Sequence, residues 1–108
     1  MTHPSKNKGN NYERELVKLA QAHGLPAKRA YASNGEALGH SVEVDLLIGQ
    51  ERVQAKRRRT LAAFLKPSED VDAVVFREDR GESFVLLRFD DWLELVKETE
   101  QARLRWKG

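Results

Sequence analysis

The chain has 108 residues, of which 40% are hydrophobic and 33% charged, and its formal net charge is only +2. This length predicts one small domain, and this composition is typical of a folded soluble protein rather than a disordered chain. Because there is no cysteine, disulfides and thiolate metal sites are excluded, and the scattered histidines lack the spacing of zinc ligands. No apolar run approaches the roughly 20 residues of a membrane span, so we expect a cytoplasmic protein without membrane partners.

A polar segment comes first in the chain. Residues 1–10 contain Pro4, Gly9 and several Lys and Asn residues, which predicts a flexible basic arm. The remaining residues, 11–108, have the length of a single domain, and we expect them to fold as one unit.

A helix is predicted over residues 11–23, where apolar residues recur at helical spacing and Gly24 and Pro26 follow. The apolar stripe of this helix consists of Tyr12, Leu16, Leu19 and Ala20. Glu13 points in the same direction as the stripe. A carboxylate on the buried edge of a helix is costly unless it is paired or binds a cation, so Glu13 is a candidate functional residue.

A β-hairpin is predicted in the middle of the chain, after a short strand at 27–31 and a loop at 33–41. Residues 42–48 form the first strand, residues 49–52 the turn and residues 53–56 the returning strand. The side chains expected to face the core are Val42, Val44, Leu46, Ile48, Val53 and Ala55.

The polar face of this hairpin gathers the residues with the most chemical potential. When Ile48 is paired with Val53, Asp45 lies directly opposite Lys56, and Gln54 sits one pleat along on the same face. The simplest interpretation of Asp45 and Lys56 is an ordinary cross-strand ion pair, which is worth little at a surface. The addition of Gln54 and of Glu13 from the first helix favours a functional site.

The second half of the chain predicts two more strands and a helix. The strands are expected at 72–77 and 83–89, and the helix begins near Trp92, with Asp91 as its N-cap and Glu94 completing a capping box. The order of helix, strands and helix predicts an α/β fold with a central mixed sheet flanked by helices.

The predicted cluster suits magnesium-assisted phosphodiester hydrolysis. Mg²⁺ prefers oxygen ligands, usually one or two carboxylates with water and phosphate. Asp45 would be the main ligand, with the side-chain carbonyl of Gln54 and the backbone carbonyl of Ala55 as further donors. Bound metal lowers the pKa of water, and Lys56 would orient the nucleophile or neutralise charge on the phosphate.

Five short motifs in a fixed order resemble the PD-(D/E)xK nuclease superfamily, and more closely its archaeal-type Holliday junction resolvases. They cover roughly the first half of the chain. The motifs are Lys8-Gly9, Glu13-Arg14-Glu15-Leu16-Val17, Arg29 with Ser33, Val44-Asp45-Leu46-Leu47, and Gln54-Ala55-Lys56. The resemblance implies a restriction-endonuclease-like core.

The resemblance also implies roles for individual residues. Glu13, Asp45 and Gln54 occupy the metal-site positions, and Lys56 is the catalytic lysine. Ser33 would belong to a mobile loop near the scissile bond. Contacts with DNA phosphate are implied for Arg14 and Arg29, and the charge pattern adds Lys6, Lys8, Arg57, Arg58 and Arg59.

The function implied is that of a Mg²⁺-dependent endodeoxyribonuclease, with Mn²⁺ as a substitute, that cuts four-way DNA junctions. Two nicks in opposite strands need two active sites, which a symmetric homodimer supplies. Two other interpretations are another PD-(D/E)xK DNA nuclease and a catalytically silent DNA-binding module.

One position departs from the family pattern. The family usually has Glu where this chain has Gln54, and a neutral amide binds Mg²⁺ more weakly than a carboxylate. Glu43 lies on the same predicted face, so either Gln54 or Glu43 could complete the metal site.

Overall fold

The computed structural model describes residues 4–30 and 40–107, with side chains described for 8–30 and 40–106. In chain order the elements are α1 (Pro4–Ala22), β1 (Ala27–Arg29), β2 (Leu46–Ile48), β3 (Glu51–Val53), a 3-10 turn (Ala63–Leu65), β4 (Ala73–Phe76), β5 (Phe84–Leu87) and α2 (Phe89–Lys107). No helix in the described part of the chain is long and apolar enough to cross a membrane.

Helix α1 begins earlier than the sequence pattern predicted. It starts at Pro4 instead of residue 11, so residues 4–10 are helical. Proline suits the first turn of a helix, where its missing N–H would have no intrahelical partner. The helix ends with Gly24 at φ +83°, and Leu25 N donates to Ala20 O at 3.1 Å. This is the C-terminal motif that favours glycine.

The hairpin expected in the middle of the chain is present with a different register. Ile48 pairs with Glu51, not with Val53, and Leu46 pairs with Val53. The turn is therefore two residues long, Gly49-Gln50, and Gly49 has φ +58°. A glycine at the first central position matches the short turns whose twist suits a hairpin. The predicted pairing of Asp45 with Lys56 was wrong by two residues.

Strand β2 lies at the centre of a three-stranded antiparallel sheet, in the order β1-β2-β3. Val44, Leu46 and Ile48 are buried, and Val53 and Ala55 pack against the core, as predicted. Val42 is 57% exposed, because residues 42 and 43 form a turn instead of the start of the strand.

The remaining strands form a separate sheet. β4 and β5 pair antiparallel as a two-stranded unit, with Val75 opposite Val85 and Phe76 opposite Phe84. The strands were predicted correctly, but the single mixed sheet is not seen among the described residues, which form two antiparallel sheets. The two sheets and two helices form an α/β fold. Residues of helices α1 and α2 pack in one core with residues of the sheet β1-β2-β3.

Helix α2 completes the core. It starts at Phe89, and Trp92 N donates to Arg88 O at 3.1 Å. Asp91 is therefore inside the first turn and is not the N-cap, although acidic residues there still favour the helix dipole. The buried core consists of Leu16, Ala20, Leu25, Leu46, Ile48, Leu93 and Val96, with Phe89 and Trp92 packed against it.

Candidate active site

Asp45 lies where strand β2 leaves its regular ladder. Its backbone N–H donates to Val53 O at 2.9 Å, although Val53 is already the pairing partner of Leu46. Two successive residues thus face one partner, a local irregularity that re-aims the side chain. The Asp45 Oδ2 atom accepts the backbone N–H of Ala55 at 2.7 Å. This short bond holds the carboxylate beside the segment Gln54-Ala55-Lys56.

Glu13 is the buried carboxylate that the helix pattern indicated. It is only 5% exposed, and its Oε1 accepts a hydrogen bond from Arg29 Nε at 3.1 Å. Arg29 Nη2 also donates to Asn10 Oδ1 at 3.0 Å. Strand β1 presents Arg29 to helix α1 because Arg29 pairs with the inward-facing Leu46. The partly buried guanidinium, which was predicted to contact DNA, is held by α1 in this structure.

Gln54 and Glu43 line one shallow pocket of about 250 Å³. Ser41 and Arg52 form other parts of its wall. The pocket lies on the polar face of the sheet, and both side chains are exposed. The structure therefore brings together the two residues that were alternatives for completing the metal site.

Lys56 opens onto a different pocket, between the chain that follows β3 and helix α1. The pocket measures about 320 Å³ and is lined by Tyr12, Glu15, Lys56, Arg57, Arg58 and Leu61. Arg58 Nη1 donates to Arg57 O at 3.1 Å. In the part of the chain that the structure describes, these three cations have no carboxylate partner within 4.0 Å. They are free to meet an anion.

The other predicted DNA contacts lie around helix α1 and after Lys56. Arg14 is exposed and donates to Asn11 Oδ1 at 3.3 Å, and Lys8 is partly buried. Arg59 is exposed. The side chain of Lys6 and the whole of Ser33 lie outside the described residues.

The oxygen donors assigned to the metal suit a hard divalent cation. No three Asp, Glu, His or Cys side chains come together as a metal-binding group among the described residues. A magnesium site needs only one or two carboxylates when amide oxygens, backbone carbonyls and water complete it. Asp45, the Gln54 amide and the Ala55 carbonyl are oxygen donors of that kind, so the residues present fit such an ion.

Sequence reasoning missed a charged contact between the ends of the two helices. His23 Nδ1 lies 2.8 Å from Glu94 Oε1, and His23 Nε2 lies 3.3 Å from Asp90 Oδ1. The Glu94 carboxylate, followed by Asp90, raises the pKa of His23 above its ordinary value of 6.5, although partial desolvation opposes this. Both ring nitrogens face acceptors, so the imidazolium form, with two N–H donors, matches the site. No local pattern connects these residues, because they are 67 and 71 positions apart.

The family model of the archaeal Holliday junction resolvases (Hjc) matches residues 4–103. The chain belongs to this family. Comparison with curated proteins gave no match, and comparison with solved structures gave none either. The match extends beyond the motifs of the first half and includes the second sheet and most of α2.

Membership of the archaeal Holliday junction resolvase family supports resolvase activity in general. It therefore supports a nuclease that acts in DNA recombination and repair and binds Holliday junction DNA. The resemblance expected from the five motifs is confirmed at the level of the family.

Proposed function

We propose that this chain is a structure-selective endodeoxyribonuclease that resolves four-way DNA junctions by paired, magnesium-dependent nicks. The observation that carries the proposal is the Asp45 carboxylate, which accepts at 2.7 Å the backbone N–H of Ala55, the residue between Gln54 and Lys56 in the chain. A carboxylate whose orientation is set before substrate arrives meets the first need of a catalytic site, since reorganisation is not required during the reaction. We place this activity in the cytoplasm.

Each residue has a separate task in this proposal. Asp45, Gln54 and the Ala55 carbonyl would hold Mg²⁺, or Mn²⁺ in its place, and Glu13 would act from helix α1. The bound ion would lower the pKa of a bound water and would neutralise charge at the phosphate. Lys56 would place a positive charge against the phosphate oxygens, where negative charge grows during cleavage. For Ser33 we propose the role near the scissile bond that the resemblance implies.

Arg14 and the run Arg57, Arg58 and Arg59 would hold the DNA backbone, together with Lys6 and Lys8. Exposed cations act on the phosphates of any sequence, so they give affinity that falls with added salt. We assign two roles to Arg29. It fixes Glu13 in the free protein, and its partly exposed guanidinium would turn to a phosphate when DNA lies across the site.

We also propose a homodimer, since two opposed nicks require two active sites. An exposed apolar surface supports it. We call this the β4-β5 surface and define it as Phe64, Val71, Val75, Phe84 and Val85, which are between 40% and 69% exposed. Strands β4 and β5 are apolar on both sides, a pattern that favours burial on both faces.

Both sides of this sheet leave apolar side chains exposed, and on one side these are Phe64 and Phe84, which are 56% and 52% exposed. Phe64 contacts Phe76 with ring centroids 5.7 Å apart, and Phe76 contacts Phe84 at 5.9 Å. On the opposite side Val75 and Val85 face each other and are 69% and 60% exposed. The β4-β5 surface is therefore an exposed apolar patch of the kind that marks an interaction site. A second copy of this chain fits that surface.

The proposal is tested by cleavage of matched DNA substrates. A labelled four-way junction, a duplex of the same arms and a single strand are incubated with the protein in Mg²⁺, in Mn²⁺ and in EDTA. We expect symmetric paired nicks in the junction alone, dependent on the divalent ion. Asp45→Asn should abolish cleavage and keep junction binding, while Arg105→Gln, which removes an exposed charge outside both pockets, should retain activity. Cleavage by the Asp45→Asn protein would exclude the proposed site.

A catalytically silent junction-binding module is the second candidate. It is favoured by the neutral Gln54 and by the absence of a three-carboxylate cluster among the described residues. Tight junction binding without nicks in either metal would support it. A third outcome, equal cutting of junction and duplex, would indicate another kind of PD-(D/E)xK nuclease.

A further inference from the structure

The pocket beside Lys56 contains residues that binding of the DNA phosphate backbone alone does not require. We call it the Tyr12 pocket, after the aromatic residue in its wall, and its lining is Tyr12, Glu15, Lys56, Arg57, Arg58 and Leu61. Its three cations would suffice for a phosphate. The remaining residues are an aromatic ring, a leucine that is 49% exposed and a carboxylate. Each of these has a chemistry that suits a base rather than a phosphate.

The aromatic and aliphatic walls suit a planar apolar ligand. Tyr12 is partly buried, so its ring contacts the core and also faces the pocket. Leu61 gives a second apolar wall from the chain that follows β3. Proteins that hold single-stranded nucleic acid combine a cationic groove with aromatic side chains on which bases stack. The volume of about 320 Å³ is sufficient for one nucleobase with its sugar.

Glu15 is the residue that a pure phosphate site would exclude. A carboxylate repels the DNA backbone, yet Glu15 shares the pocket with the three cations and makes no ion pair within 4.0 Å to them in the described structure. A carboxylate does accept hydrogen bonds from the exocyclic amino group of a base, as in the pairing of Glu with cytosine N4. Its place opposite the cations therefore matches a ligand with a negative phosphate at one end and a donor group at the other.

We propose that the Tyr12 pocket binds one unstacked nucleotide from the branch point of the junction. The base stacks on Tyr12 against Leu61, its phosphate lies against Arg57 and Arg58, and Glu15 accepts from its amino group. This inference rests on the proposed function, because the ligand is a nucleotide of the junction. It adds a reason for junction selectivity: a base is released from its stack most easily where the duplex arms meet. Tyr12 and Glu15 are positioning residues, since neither is assigned a chemical step.

The test measures coupling between one DNA base and one side chain. Each nucleotide flanking the branch point is replaced in turn by an abasic residue, and binding of the intact protein is measured in Ca²⁺ at fixed salt. Loss of the base that occupies the pocket should weaken wild-type binding about tenfold, the typical effect of one base–aromatic stack. For Tyr12→Leu most of the difference in affinity between the same abasic junction and the intact junction should disappear, and Tyr12→Phe should behave like wild type.

Two further variants keep the test decisive if Tyr12→Leu disturbs folding, because Leu61 and Glu15 are both exposed and outside the core. Leu61→Ser should reduce the coupling to the same abasic position. Glu15→Gln should remove a severalfold preference for cytosine, adenine or guanine over thymine at that position. Arg105→Gln is the control for a change of surface charge and should leave both readouts unchanged.

Failure of the inference and failure of the proposed function give different results. Junction-selective binding with no coupling at any branch-point nucleotide would overturn the pocket and leave the resolvase proposal intact. A protein that binds the junction no better than duplex would overturn both. Equal coupling in wild type and in Tyr12→Leu would assign the base to another part of the surface.

Discussion

The ion pair between Glu13 and Arg29 stabilises the fold, and both of its residues also belong to the proposed site. Glu13 is buried and Arg29 partly so, with 3.1 Å between Oε1 and Nε. At an effective dielectric constant of about 20, two unit charges at this distance attract by roughly 5 kcal/mol. Desolvation offsets part of this energy. We therefore expect Arg29→Met to lower the free energy of unfolding by about 3 kcal/mol, as found when one partner of a buried pair is removed.

The double variant Glu13→Gln with Arg29→Met separates the charge effect from loss of packing. Its free energy of unfolding should come within about 1 kcal/mol of the wild-type value. Glu13→Gln removes the buried charge, so the loss of Arg29 no longer takes a partner away from a buried carboxylate. Urea unfolding followed by circular dichroism gives all the free energies needed. The reasoning is refuted if Arg29→Met costs less than about 1 kcal/mol, or if the double variant is as unstable as the single one. A stable double variant without nuclease activity would further assign the pair of Glu13 and Arg29 to the site.

Three other predictions concern Gln54, Val75 and His23. Gln54→Glu should give equal or higher Mg²⁺-dependent cleavage, since a carboxylate binds the ion more strongly; a severe loss would show that the amide has a role of its own. Val75→Lys should shift the protein from dimer to monomer in sedimentation and suppress paired nicking, whereas Arg77→Gln should not. His23 has a raised pKa, so its contact stabilises the fold fully below pH 6.5 and is lost as pH rises through the folded pKa. The stability difference between wild type and His23→Gln should therefore shrink from pH 5.5 to pH 8.5, and a difference that grows would contradict the pairing with Glu94.

Local pattern was sufficient where one element determines the outcome. The helical spacing of Leu16 and Ala20 predicted the buried face of α1 and located Glu13 on its edge. Alternation in the hairpin predicted that Leu46 and Ile48 point inward. In each case hydrophobic burial selects the face, and it does so whatever the partner element is.

The hairpin register could not be predicted in the same way. Glu51 and Arg52 are polar, which favoured a four-residue turn, yet Gly49 at φ +58° allows a two-residue turn. Two residues at the turn are then held by tertiary contacts: Gln50 N donates to Glu100 Oε1 at 3.3 Å, and Glu51 lies 3.8 Å from Arg103 Nη2. These partners come from helix α2, about 50 residues away in the chain. A local sequence pattern carries no information about these contacts with helix α2.

The revised register also changes how the site is organised. With the predicted pairing, Asp45 and Lys56 would have faced each other and could have neutralised one another as a simple ion pair. In the structure Asp45 accepts from the Ala55 backbone instead, and Lys56 faces the Tyr12 pocket with two arginines. A neutral backbone donor orients Asp45 without cancelling its charge, which remains for a cation. The lysine charge likewise remains for a phosphate. An ion pair of these two residues would have weakened both proposed functions, so the shift by two residues favours the proposed site more than the predicted pairing does.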